Sequence, residues 1–420
     1  MQRIITLTAI IILLHFNFVE TTTILRRSLR IAQVAPMFES IPPMRSVTAG
    51  GASRNVQHLT EELVKRGHDV SLFAPYGSKT SAKLVSHPNL PAINKAEGQD
   101  KTLLPFAWQL EQIRKHADDF DIIHFHTIEH LNSIEAFVNK TVTTLYMSKF
   151  NLDEMALLFE LFHNIPFVAL TVDQQKHAPN HPNFIGQIYP GIPADQYEFV
   201  PKFDAKKQNS LAFLGRMEPE KGHEQAIKIA VEAGIPMEPE KGHEQAIKIA
   251  VEAGIPLKIA TGQQSKEMEQ YFQKEIKPLV EKHANLVEYL GEIKEQDKKD
   301  FLGNALALLI LAKKEDDPFE LTMIEAMSMG TPVVGLRAGP ITELVEPGVS
   351  GLIFNTLSEA VEKVKSVSKL SRPGVRKAFE KRWTVKHMAD KYEQIYAKIF
   401  DQNDRQNQIK KGTDQCTKKH

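Results

Sequence analysis

Leu306-Ala-Leu-Leu-Ile-Leu311, then Asp317-Pro-Phe-Glu-Leu-Thr-Met-Ile-Glu325-Ala-Met-Ser-Met-Gly330-Thr, then Pro332-Val-Val-Gly335 form the stretch that sets the fold. A short apolar run, a helical segment closed by Gly-Thr-Pro and a second short apolar run read as strand, crossover helix and parallel strand. Asp317 and Glu325 straddle the Pro-Phe turn. In an open α/β sheet this spacing predicts one carboxylate on the loop rim and the other on the first turns of the helix behind it. Ligands bind at that rim, beyond the carboxyl ends of the strands. A carboxylate accepts hydrogen bonds from two adjacent hydroxyls, so the pair suits a polyol such as a ribose or a sugar. An exposed acidic helix start is the plainer alternative, because Asp and Glu favour helix N-termini.

Outward from this stretch the alternation continues. Ile31-Ala-Gln-Val-Ala35, Asp69-Val-Ser-Leu-Phe-Ala74, Ile122-Ile-His-Phe-His126, Thr141-Val-Thr-Thr-Leu145 and Pro166-Phe-Val-Ala-Leu-Thr171 read as one series of strands. Ala52, Val56, Leu59 and Leu63 mark a helix face after the first, and Gly67 supplies its stop. A second series runs through Ser210-Leu-Ala-Phe-Leu-Gly215, Leu257-Lys-Ile-Ala260, Leu286-Val-Glu-Tyr-Leu290, the runs quoted first, and Gly351-Leu-Ile-Phe354. The segment 191–204, rich in breakers, separates them. The fold predicted is α/β, with two Rossmann-like doubly wound domains (30–195 and 205–380) facing each other across a cleft. Met388, Tyr392, Ile395 and Ile399 give 384–400 a helical face that closes the fold, and the polar residues 401–420 read as a disordered tail.

A chain of 420 residues is long enough for two or three domains. Net charge is zero, which gives no electrostatic case for nucleic acid as a partner. The single cysteine, Cys416, excludes a disulfide framework and a cysteine metal site. At the start, Met1-Gln-Arg3 precedes an apolar run over 4–18, shorter than the roughly 20 residues that span a bilayer comfortably. It has the size of a signal-peptide core. Arg26, Arg27 and Arg30 follow, which favours keeping the downstream chain cytosolic. Residues 1–28 therefore read equally as signal peptide or signal anchor, directing the chain to the secretory pathway or a membrane; a cytoplasmic location is the alternative.

Residues 217–236 recur identically as 237–256. A solenoid shows several diverged copies, whereas this is one perfect tandem copy of a loop plus an amphipathic helix. A crossover between adjacent strands holds one helix, so either the second unit bulges out as an extra surface helix, its apolar face (Ala246, Ile247, Ala250, Val251) poorly buried, or the duplication is foreign to the natural chain.

Four elements converge on a phosphate-bearing sugar ligand. Thr48-Ala-Gly50-Gly51-Ala-Ser-Arg54 lies between the first strand and its helix, where glycines admit a phosphate to the helix N-terminus. Arg216 and Lys221 follow the strand that opens the second series; Arg meets phosphate as a fork and Lys as a point charge. An exposed pair held by Glu218 and Glu220 is the alternative there. Asp317 and Glu325 are the third element. His124 and His126 are the fourth, sharing a face at a strand end with Phe125 turned away. Two histidines without a third nearby ligand make a thin metal site, and a strand-end histidine is more often structural, so His126 is a secondary cleft candidate.

Together these residues resemble the retaining glycosyltransferases of family 4, with the GT-B fold, over about residues 30–400. The most specific parts are Leu211-Ala-Phe-Leu-Gly-Arg216 with Lys221, Phe301-Leu-Gly-Asn-Ala-Leu-Ala-Leu-Leu309, and 317–332. The resemblance implies transfer of a sugar from a nucleotide-diphosphate donor to an acceptor hydroxyl with retention, by a hexosyltransferase-type enzyme. It implies that Arg216 and Lys221 neutralise the diphosphate, with no metal or other cofactor. Glu325 would hold the ribose hydroxyls and Asp317 would contact the transferred sugar as the catalytic residue. Backbone N–H groups of Glu320, Leu321 and Thr322 would meet phosphate, with Gly50 and Gly51 facing it. The chain differs from the family pattern at Asp317 (Glu in the family), Glu320 (Gly), Ala52-Ser53 (Thr-Glu) and Tyr146 (His). Tyr146 is thereby a second candidate beside His126. Alternatives are a GT-B protein that binds a nucleotide sugar with weak or no turnover, and another GT-B enzyme such as a sugar-nucleotide epimerase. Base, sugar and acceptor have no readable signature, and membrane association rests on the N-terminal run alone.

Overall fold

The computed structural model describes residues 27–43, 51–93, 103–146, 157, 159–177, 184–202, 204, 206, 208–215, 242–261, 266–311 and 319–417. Two parallel sheets organise it. The first has seven strands: β1 (Arg30–Val34), β2 (Asp69–Phe73), β3 (Lys83–Val85), β4 (Ile122–Phe125), β5 (Thr141–Thr144), β6 (Phe167–Ala169) and β7 (Phe184–Gln187), in the order β3-β2-β1-β4-β5-β6-β7. The second has six: β8 (Leu211–Leu214), β9 (Leu257–Ala260), β10 (Val287–Gly291), β11 (Ala307–Ile310), β12 (Val333–Leu336) and β13 (Gly351–Phe354), in the order β10-β9-β8-β11-β12-β13. In each sheet the first strand sits inside and the chain later switches to its other side. That creates switch points between β1 and β4 and between β8 and β11, where doubly wound folds bind ligands. Each strand quoted from the sequence is present, so the predicted pair of doubly wound domains holds. The short edge strands β3 and β7 carry too little apolar pattern to be read in advance.

Helix α1 (Gly51–Lys65) follows β1 and buries Val56, Leu59 and Leu63. It ends at Gly67, whose φ of 89° only glycine adopts readily. There Gly67 N–H donates to the Val64 carbonyl and His68 N–H to that of Leu63, the paired bonds of a Schellman ending.

The crossover from β8 to β9 corrects the reading of the repeat. Its described helix, α2 (Gly242–Ala253), belongs to the second copy. Ile247 (1% exposed) and Ala250 (0%) pack with Leu211, Phe213 and Leu257 in the core. Only Gly254-Ile-Pro256 separates α2 from β9, and Gly254 (φ 68°) turns the chain directly into the strand, so this copy is the one tethered to the sheet. Residues 217–236 lie outside the described set, as do 1–26 with the apolar N-terminal run. Among the described residues no helix is long and apolar enough to cross a membrane.

Helices α3 (Glu295–Gly303) and α4 (Leu321–Ser328) follow β10 and β11. Helix α5 (Arg372–Arg382) binds their ends together, because buried Arg372 donates to the carbonyls of Gly303, Ala305, Met329 and Val200. The chain then recrosses: Ile192 N–H donates to the Trp383 carbonyl and Val385 N–H returns the bond to Ile192. A side chain at Gly191 would collide with the Thr384 carbonyl, so the two crossing strands need glycine there. Helix α6 (Val385–Thr417) closes the first domain, burying Met388, Ala389, Tyr392 and Tyr396 with Ile31, Leu59, Ile122 and Val142. The tail expected to be disordered instead extends α6 to Thr417, since a helix already nucleated by packing adds residues at little cost. Asp404 accepts from Gln408 one turn on.

Candidate functional site

The N-termini of α1 and α4 face each other across the cleft: a methyl group on Gly51 would come within 3.8 Å of Leu321 Cδ1. Each sits where its sheet switches direction, and each presents the first N–H groups of a helix, which have no partners within it. Glu320 occupies the N-cap of α4 without capping it; its Oε1 accepts from Thr322 Oγ1 at 2.9 Å. Gly215 stands at the end of β8, and beyond it Arg216 and Lys221 lie outside the described residues, as do Asp317 and Gly50.

Glu325 lies one turn below Leu321 on the same face of α4. It is on the early turns of the helix behind the rim, as expected, but its side chain is only 1% exposed, against 0% for that of Lys298 on α3. Lys298 Nζ donates to Glu325 Oε1 at 2.9 Å and to Oε2 at 3.0 Å. Packing accounts for the pair, since α4 is buried from Thr322 through Ser328 and a carboxylate inside it requires a partner. Lys298 meets Glu295 Oε2 at 3.2 Å, and the Tyr197 hydroxyl donates to Glu295 Oε1 at 2.5 Å and lies 3.4 Å from Glu325 Oε1. Arg54, from α1 in the other domain, brings Nη2 to 3.6 Å from Glu295 Oε2. Burial works to raise the Glu295 carboxyl, but Lys298, the Tyr197 hydroxyl and Arg54 outweigh it and hold it below the usual range. Burial, then the Glu325 and Glu295 charges, push the Tyr197 hydroxyl up. Lys298 was legible only as a lysine four residues before Leu302, on the helix face that turns inward. Arg54 closes the glycine-loop segment, and its neighbours in sequence carry no sign of a partner on the other domain.

His124 and His126 do share a face, with ring centroids 3.9 Å apart, while Phe125 packs on the opposite side of the sheet. They belong to a continuous line of hydrogen bonds. Asn55 Nδ2 donates to the Tyr146 hydroxyl (2.6 Å), which meets His126 Nδ1 (2.9 Å), and His126 Nε2 reaches Gln33 Oε1 (2.6 Å). Gln33 Nε2 donates to the Tyr396 hydroxyl (3.2 Å), which meets His124 Nδ1 (2.7 Å). His124 Nε2 meets Thr144 Oγ1 (2.7 Å), and that hydroxyl meets Tyr392 (2.8 Å). The line has one consistent donor direction if both imidazoles are neutral with the proton on Nε2. Burial supports this, pulling His126 down to about 3 and His124 well below its ordinary value. Tyr146 and Asn55 thus anchor the cleft end of a line that runs to α6. Among the described residues no three His, Cys, Asp or Glu side chains gather to hold a metal ion.

The family model described as glycosyl transferases group 1 matches residues 195–383, and that described as glycosyltransferase family 4 matches residues 49–144. No curated protein matches the chain in sequence. Among solved structures it is similar to AviGT4, a glycosyltransferase involved in avilamycin A biosynthesis, at 21% identity and TM-score 0.61 over 89% of this chain and 98% of that one. It is similar to sucrose-phosphate synthase from Thermosynechococcus elongatus at 16% identity and TM-score 0.67, over 89% and 100%. HepE from Anabaena in complex with UDP resembles it at 16% identity and TM-score 0.62, over 88% and 100%. With one family model on each doubly wound domain, the chain belongs to the glycosyltransferases of group 1 and family 4 and has the GT-B fold.

Proposed function

We propose that the protein transfers a hexose from a nucleoside-diphosphate sugar to an acceptor hydroxyl with retention of the anomeric configuration. The observation that carries this reading is the opposition of the α1 and α4 N-termini at Gly51 and Leu321, one turn above the Glu325 carboxylate. Two helix N-termini aimed at one space favour a dianionic or trianionic diphosphate. HepE has been solved with UDP and with UDP-glucose, and starch synthase IV from Arabidopsis thaliana with ADP and acarbose, which supports a nucleoside diphosphate here. In this reading Arg216 and Lys221 neutralise the leaving diphosphate and no metal is required. The Glu320, Leu321 and Thr322 N–H groups bind its oxygens opposite Gly50 and Gly51. Asp317 contacts the transferred sugar and Glu325 accepts from the ribose hydroxyls. The apolar N-terminal run would serve targeting or membrane attachment.

A second reading, donor binding with weak turnover, is favoured by one observation. The Tyr146 hydroxyl, where the family carries histidine, is committed to Asn55 and His126. The test is calorimetric titration of the purified protein with UDP, ADP and GDP, followed by nucleotide release from the corresponding sugar nucleotides. Product anomers are then read by NMR. Absence of binding to every diphosphate would overturn both readings; binding without release of nucleotide would select the second.

A further inference from the structure

We infer that Lys298 is a positioning residue for nucleoside recognition, and that through Glu325 it makes the site select ribose over 2′-deoxyribose. This rests on the assignment of Glu325 to the ribose. The geometry is specific. An ammonium has three N–H donors, and those of Lys298 point at Glu325 Oε1, Glu325 Oε2 and Glu295 Oε2, at 2.9, 3.0 and 3.2 Å. A single nitrogen spanning both oxygens fixes the plane of the Glu325 carboxyl group.

An ionised carboxylate offers about four lone-pair sites. Lys298 uses one on each oxygen, which leaves one on each for a vicinal diol. The 2′- and 3′-hydroxyls of a ribose form such a diol; 2′-deoxyribose lacks one of the two donors. Tyr197 covers the remaining side, with its hydroxyl 3.4 Å from Glu325 Oε1 and its proton directed to Glu295. Displacement of the Tyr197 side chain from that side opens the acceptor without breaking the Lys298–Glu325 pair. Removing Lys298 takes away the contact that orients this buried carboxylate, and a carboxylate that turns away withdraws its acceptors from the diol.

The experiment compares UDP with 2′-deoxy-UDP, and ADP with 2′-deoxy-ADP, by calorimetric titration of the full chain and its variants. The native protein is expected to favour the ribonucleotide by about tenfold or more. Lys298→Met should bring that ratio close to one, with both affinities reduced and that for the ribonucleotide reduced about tenfold more. Lys298→Arg keeps the charge but presents a planar fork from a longer stem, and should cut the ratio severalfold. If Lys298→Met fails to fold, Lys298→Arg carries the test alone. An unchanged ratio in a folded Lys298 variant overturns the inference, as does an equal loss for both nucleotides, the mark of a purely structural ion pair. Glu325→Ala separates the two levels. A ratio preserved in Glu325→Ala overturns the ribose assignment itself, whereas a ratio lost there but kept in Lys298→Met overturns only the role of Lys298.

Discussion

Arg54 of the first domain lies 3.6 Å from Glu295 of the second, so the cleft is closed by a charge pair whose lysine neighbour holds Glu325. The Arg54 side chain is 9% exposed and that of Glu295 49%, which places the pair at the edge of solvent and within reach of salt. Arg54→Met should weaken closure by about 0.5–1 kcal/mol. Small-angle scattering would show a larger radius of gyration for the variant at low salt, converging with the native protein near 1 M salt, where the Debye length falls to about 3 Å. Equal radii at low salt would rule out a contribution of the pair to closure.

Glu325→Ala is predicted to weaken nucleoside diphosphate binding by at least about tenfold and also to destabilise the fold. The second effect follows from the burial of Lys298, which loses its main partner. Breaking a buried pair on one side costs about 3–5 kcal/mol. Glu325→Gln retains an acceptor and should cost less. Denaturant unfolding checks the stabilities; an Ala variant as stable as the native chain would show that Lys298 finds solvent or another carboxylate.

Acid should destabilise the protein well before its carboxylates titrate. His58, His124, His126 and His130 are all buried, and burial first of all lowers them: His58 and His130 to about 4, His126 to about 3, His124 in the same direction. Each stays neutral when folded and takes up a proton when unfolded at about pH 6.5. The unfolded state therefore binds more protons in this interval, so stability rises with pH. The contribution is complete above about pH 6.5 and is lost as pH falls from there through about 4. Unfolding free energies at pH 7 and pH 5 should differ by several kcal/mol, at about 1.4 kcal/mol per unit for each imidazole. A flat profile between those values would contradict neutral histidines in the hydrogen-bonded line.

The helix of the second repeat copy should be as sensitive as any core element. Ile247→Ala is expected to cost about 2–5 kcal/mol, measured by chemical denaturation, because Ile247 is wedged among the β8 and β9 residues. Deleting residues 217–236 leaves one copy directly after Arg216, with α2 and its Gly254 turn unchanged. The melting temperature of that protein should match or exceed the native value. A large fall would show that the twenty extra residues contribute packing of their own.

Local pattern in the chain was enough for the doubly wound pair of domains, the strands near the sheet centres, the α1 face with its Gly67 ending, and the shared face of His124 and His126. Each follows from a period of two or 3.6 residues or from glycine's access to positive φ, and such properties are written in neighbouring residues. Tertiary packing decided the rest. Glu325 reads from sequence as an acid on the first turns of a helix, yet its environment is set by Lys298, 27 residues earlier on another helix. The repeat copies are indistinguishable by sequence, and only the short tether to β9 places the second against the sheet. Arg54 meets Glu295, and Tyr396 meets Gln33 and His124, because two domains and a returning helix converge on one cleft. Which charge pairs with which depends on distances between elements far apart in the chain, and periodicity carries no information about those distances.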